Sequence, residues 1–301
     1  MRTLIATPQA AFRLRAARSL QSRRRRPTRR AWLPSTVVVG LTLTGCAATA
    51  QPTTSHDHAT DLDHVHAIVA DPGGDGFLLG AHDGIYPTTR DAEVGEKLAT
   101  TDFDAMGLTV VDDVLIASGH PGPNTPSELG SPHLGIIRSD DGARSWSPVT
   151  FTSEKDFHVL TATPEGTLYG IATDSIELLR SDDRGQAWTP VGDGILAFSL
   201  VADASNRLLA STPDGVQISS DGGRTFAPLA GAPALYLLAA SPDGQNLVGV
   251  GAGEQIWTST ASSKDWQQVA ITHGPAQAVA ITDDAAVLVF DDSGLSLIPR
   301  S

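Results

Sequence analysis

Histidine and aspartate recur in this chain at spacings that favour shared ligands. His64-Val65-His66 and Asp156-Phe157-His158 each place two polar side chains two residues apart, and Asp104 stands two residues before Met106. On an extended strand residues i and i+2 lie on one face, so each pair can address one ligand. His82, in His82-Asp83-Gly84, and His120, in Gly119-His120-Pro121-Gly122, occupy turn-like sequence. Two chemistries suit these residue types. Asp104 and Asp156 are a candidate acid and base pair, with Asp61 or Asp63 in reserve and His66 or His158 able to tune or relay protons. Equally, His64, His66, His82, His120 and His158, joined by an aspartate, supply the imidazole and carboxylate donors of a zinc or copper site, and Met106 leans slightly towards copper. His56 and His58, in a polar run, would at most add ligands.

The elements that must position these groups show themselves as a repeat of about 40 residues. Ser139 to Trp146, Ser181 to Trp188 and Ser219 to Phe226 share the pattern S-x-D-x-G-x-[ST]-W at all but one position each, and a decayed copy ends at Trp266. Ser139, Asp141, Ser181, Asp183, Ser219 and Asp221 are the types that bond backbone groups across a tight turn. Trp146, Trp188 and Phe226 are rings suited to packing between sheets. These boxes are therefore expected to be structural. Upstream of the turns, short apolar or alternating runs begin near His66, Met106, His158, Phe198, Tyr236 and Gln277, followed by turns such as Asp71-Pro72-Gly73 and Ser241-Pro242-Asp243-Gly244. Six short inner strands at this period, with no convincing helix, predict an all-β fold, a six-bladed β-propeller over residues 61–301 whose sixth blade ends early.

The boxes resemble the Asp-box, or BNR, repeat of sialidases and related β-propellers. In that architecture the box turn lies on one face. The start of each inner strand and the loop between the second and third strands lie on the other. The resemblance thus implies that His64, His66, His82, Asp104, His120, Asp156 and His158 converge on one mouth of the axial channel, across blades one to three. The loop from Gly119 to about Gly135 is lengthened, as functional loops often are. Glycoside hydrolysis follows as one expectation, with Asp104 and Asp156 as the carboxyl pair. A true sialidase is not expected, because the eight arginines after residue 46 do not fall at inner-strand starts. Together with a lipobox, His64-Val65-His66, Gly119-His120-Pro121-Gly122, Leu134-Gly135-Ile136-Ile137 and Asp156-Phe157-His158 make the chain similar to exported bacterial propeller proteins labelled glycosyl hydrolases. That label follows the fold and names no reaction. A scaffold or assembly factor holding a protein partner is the non-catalytic alternative.

The lipobox is Leu43-Thr44-Gly45-Cys46, which closes a segment of basic residues and a short apolar stretch, Val37 to Leu43. That order resembles a bacterial export signal over 1–45, with Cys46 lipidated, a flexible tether over 46–60, and the body held at the outer face of the cytoplasmic membrane. Thr28-Arg29-Arg30-Ala31-Trp32-Leu33 looks like a twin-arginine signal, although the general secretory route uses similar sequences. The formal charge of -13 averages two unlike parts. Ten of the 21 Lys+Arg precede residue 46, where no acid occurs, so the remainder carries 34 acids against eleven bases, a formal -23. Such a body repels nucleic acid and favours cations or basic partners. The single Cys excludes an internal disulfide, and a monomer is expected.

Overall fold

The computed structural model describes Leu62 and residues 64–263 and 265–300. Cys46, the export signal, the tether with His56 and His58, and the reserve carboxylates Asp61 and Asp63 lie outside the described residues. Among the described residues no helix is long and apolar enough to cross a membrane.

The described chain is all-β and forms the six blades of a propeller. Blade 1 comprises β1 (Val65–Ala70), β2 (Phe77–Ala81) and β3 (Gly84–Thr88). Blade 2 comprises β4 (Phe103–Val111), β5 (Val114–Pro121), β6 (Ile136–Ser139) and β7 (Ser147–Thr150). Blade 3 contains β8 (Phe157–Ala162), β9 (Leu168–Ala172), β10 (Leu178–Ser181) and β11 (Thr189–Val191). Blade 4 contains β12 (Ser199–Ala202), β13 (Leu208–Thr212), β14 (Gly215–Ser219) and β15 (Ala227–Pro228). Blade 5 is β16 (Leu235–Ala240), β17 (Asn246–Gly251), β18 (Gln255–Thr260) and β19 (Gln267–Ile271), and blade 6 is β20 (Ala278–Ile281), β21 (Val287–Asp291) and β22 (Gly294–Ile298). Every blade is an antiparallel meander in chain order.

The sequence pattern predicts a short sixth blade, and β20–β22 is indeed three-stranded. Blade 1 is three-stranded as well, which the repeat alone does not reveal. In place of a fourth strand, residues 89–98 run along β3 through a Thr88–Val94 bridge and backbone bonds from Gly95 to Pro87 and from Leu98 to Ile85. Among the described residues the ring closes by inner-strand contact between β1 and β20, and the Val65 amide donates to Gln277 Oε1 at 3.0 Å across that seam.

Six apolar layers lie one at each junction between neighbouring blades. Because both faces of a blade are covered, second strands such as β2 and β9 are buried throughout and read as continuous apolar runs. The box turns form as their residue types require. Ser139 Oγ donates to Asp141 Oδ1 (2.9 Å) and accepts the Ala143 amide (2.9 Å), while Asp141 Oδ1 accepts the Ser145 amide (2.8 Å). Ser181 with Asp183 and Ser219 with Asp221 repeat the arrangement. The box rings then pack inward: Trp146 meets Phe103 edge-on at 5.2 Å and Trp188 stacks on Phe157 at 5.7 Å. Those phenylalanines adjoin Asp104 and Asp156, so these two box turns each brace a site residue of their own blade.

Candidate functional site

Strand alternation predicts that His66, Met106 and His158, and the residues two positions before each, all face the axial channel. The first part holds: His66, Met106, His158 and Phe198 line one end of an axial cavity of 660 Å³. Asp104 and Asp156 do not line it. The reason is a β-bulge repeated near the start of four inner strands. In β1 the register passes from Val65↔Ala81 to Ala67↔Gly80, leaving His66 as the extra residue. His158 in β8 and Tyr236 in β16 are extra in the same way, and β4 slips between Asp104 and Gly107. A bulge bends the strand and re-aims its side chains, here turning the histidines to the channel and leaving the aspartates between blades. Gly119 makes room for the bulge in β4. At φ 147° a Cβ there would lie 1.8 Å from the Asp104 carbonyl oxygen.

Two clusters result, one at each junction. Between blades 1 and 2, His66 Nε2 lies 3.0 Å from Asp104 Oδ1 and His82 Nδ1 lies 3.1 Å from Asp104 Oδ2. The His82 amide donates to the His64 carbonyl, which fixes the β2–β3 turn beside β1. His66 Nε2 and Asp104 Oδ1 are both buried, and neither has a hydrogen-bond partner: their approach lies off any N–H direction. Burial pushes the His66 imidazole below its ordinary value of 6.5, Asp104 opposes that shift, and His64, His158 and His82 add to it. Burial thus favours the neutral form of the His66 imidazole.

Between blades 2 and 3, Asp156 Oδ2 lies 3.2 Å from His120 Nε2 and 2.7 Å from His158 Nε2. Asp156 is anchored from both sides. Its carbonyl accepts the Thr173 amide, and the next residue, Phe157, donates its amide to the buried Ser118 Oγ of β5 at 2.9 Å. The long β5–β6 loop returns His133 to this cluster, with its ring 5.5 Å from that of His120. Sequence reasoning missed His133. Its only signal was the lengthened loop, because an insertion has no counterpart in the other repeats.

The two groups His66/His82/Asp104 and His120/His133/Asp156 each bring one ligand atom per residue to within 4.8 Å of one another. His64 is exposed, its ring 6.2 Å from that of His66, and stays at the periphery. Around the rest of the mouth the corresponding positions differ in kind. Ile176, Leu196 and Phe198 are exposed apolar side chains, whereas the Tyr236 hydroxyl accepts the Ala276 amide and Gln277 closes the ring.

No family model matches the chain, and no curated protein matches it. Solved structures do. A protein described as a putative gluconolactonase shares 12% identity over 79% of this chain and 89% of its own, with a TM-score of 0.60. XC5397 from Xanthomonas campestris, described as a gluconolactonase, shares 12% identity over 78% and 86%, with a TM-score of 0.59. An ancestral GH74 enzyme is 18% identical over 77% of this chain, which spans only 36% of that enzyme's length, with a TM-score of 0.46. At these identities the likeness to the first two structures establishes the β-propeller fold and leaves the chemistry to the site.

Proposed function

We propose that the channel mouth binds a divalent transition-metal ion, zinc or copper, through His66, His82 and Asp104. One observation carries this reading: His66 Nε2 and Asp104 Oδ1 are buried 3.0 Å apart without hydrogen-bonding to each other or to anything else. Buried polar atoms are normally paired. Two bare electron-pair donors at that separation match neighbouring ligands of a tetrahedral ion, which lie roughly 3.3 Å apart for bonds of about 2.0–2.1 Å. Two imidazoles and a carboxylate leave at least one coordination position open, the arrangement of a site that engages an exogenous ligand. Glycoside hydrolysis by Asp104 and Asp156 fits less well, since that chemistry needs carboxyl groups facing a sugar and Asp156 is only 2% exposed.

The setting in this proposal is a lipoprotein of Asp-box type, exported and anchored through Cys46, with the acidic body raising the local concentration of cations at the mouth. The decisive measurement is metal content of the full chain purified without chelator and reloaded with zinc or copper. Bound metal that His66→Ala with His82→Ala diminishes supports the reading. A chain that takes up none, or a double variant that binds as much as wild type, rejects it.

A further inference from the structure

Resting on the reading that the mouth binds metal, we infer that the junction of blades 2 and 3 holds a second ion, in a more closed site formed by His120, His133 and Asp156 with His158 against the same carboxylate. The two junctions are copies of one device. Asp104 pairs with His120 across β4 and β5, and Asp156 takes the position of Asp104 one blade later; His120 stands in blade 2 where His82 stands in blade 1. The second copy is deeper and richer in donors. Asp156 is 2% exposed, against 15% for Asp104, and His120 is 39% exposed, against 65% for its counterpart His82, whereas His66 of the first site, at 23%, is more covered than His158 at 39%.

Asp156 Oδ1 is buried with no partner, and so is His133 Nδ1. A buried carboxylate oxygen with no donor is disfavoured, and a cation at Oδ1 would satisfy it. The orientation of His120 points the same way: its Nδ1 makes a long 3.5 Å contact to the Pro132 carbonyl, and its Nε2 faces Asp156 Oδ2. Orientation of a ligand imidazole by a backbone carbonyl is the usual second-sphere arrangement of metal sites. One metal ion can engage His120, His133 and Asp156 together, because one ligand atom of each lies within 4.8 Å of the others.

The β5–β6 insertion supports the same conclusion. It is tied into the fold by backbone bonds from Leu134 to Gly119, Gly135 to Lys155 and Ser153 to His133, with Leu129 and Leu134 fully buried. Blade 1 has only His82-Asp83 at that position. The insertion thus adds to the second junction a histidine that the first lacks, closing a coordination sphere that the first leaves open. The inner ion is the tightly held one and the outer ion the exchangeable one.

The test is titration of the metal-free full chain in detergent with Zn²⁺, and with Co²⁺ as a spectroscopic probe. Wild type takes up two equivalents, of which one resists a competing chelator. His133→Ala loses the resistant equivalent and keeps the other; His82→Ala does the reverse; His133→Cys, which restores a ligand, recovers the second equivalent and adds a thiolate-to-cobalt absorption band. A single equivalent in wild type, lost in His82→Ala and untouched by His133→Ala, overturns the second site while leaving the outer one standing. No uptake by wild type would overturn the metal reading itself. Should His133→Ala unfold, the thiolate band of His133→Cys decides, and its absence counts against the proposal.

Discussion

At the scale of single residues, the same side-chain type does opposite jobs at the two ends of a blade. Asp141, Asp183 and Asp221 are saturated with donors inside their turns, and those donors hold all three carboxyls below their ordinary value of 3.8. Asp221, bonded by the Thr225 hydroxyl and amide and by Ser219, reaches about 2. Asp104 and Asp156 at the mouth have oxygens with no donor at all. The first kind was legible in the sequence because Ser, Asp and Gly at fixed offsets define one turn. The second was legible in part: the repeat alignment brought His66, His82, Asp104, His120, Asp156 and His158 to one mouth, but an insertion hid His133. A box carboxyl with a depressed folded value stabilises fully above its unfolded value, and that contribution is lost as pH falls through the folded value. For Asp221 the window runs from about pH 4 down to about pH 2. Thermal melts of wild type should therefore fall in this range more steeply than those of Asp221→Asn. Parallel curves for the two proteins would show that this carboxylate gives the fold no pH-dependent support.

Between residue and molecule lies the inner strand, and here periodicity misled. A period-2 pattern places residues 64 and 66, 104 and 106, and 156 and 158 on common faces, and nothing in composition marks a bulge between them. The inserted residue in β1 or β8 looks like any strand residue, because the bulge is imposed by the partner strand and the neighbouring blade. In blade 3 the tie is the buried hydrogen bond from the Phe157 amide to Ser118 Oγ. Phe157 is itself fully buried between Phe151 and Trp188, so Asp156 is held by a core anchor on one side and an interblade bond on the other. Ser118→Ala leaves the Phe157 amide unsatisfied in the interior, an expected cost of about 1–3 kcal/mol. Urea unfolding measures it. The loss should be accompanied by weaker metal retention at the inner site, although Ser118 touches none of the proposed ligands. A variant as stable as wild type would mean that the strands are placed by apolar contact alone.

For the whole molecule, the count of six inner strands decided the fold, and the resemblance to Asp-box propellers implied which face carries the site. The closure was not readable: among the described residues blades 1 and 6 are both three-stranded, and the ring closes through the contact of β1 with β20 and the Val65 to Gln277 bond. The junction of blades 6 and 1 is the seam of that ring, and the proposed ions sit one and two junctions away from it, each clamping one blade to the next. An ion that binds the native ring and not the unfolded chain stabilises it by mass action, about 2.7 kcal/mol at a free concentration one hundred times its dissociation constant. Each blade is packed on both sides, so that gain should reach the entire ring. Calorimetry with increasing zinc is expected to move a single transition upward, and chelator should return it. A split endotherm, with only an early component responding to metal, would instead show that blades 1 to 3 melt apart from the rest and that the seam, rather than the metal junctions, limits the stability of the ring.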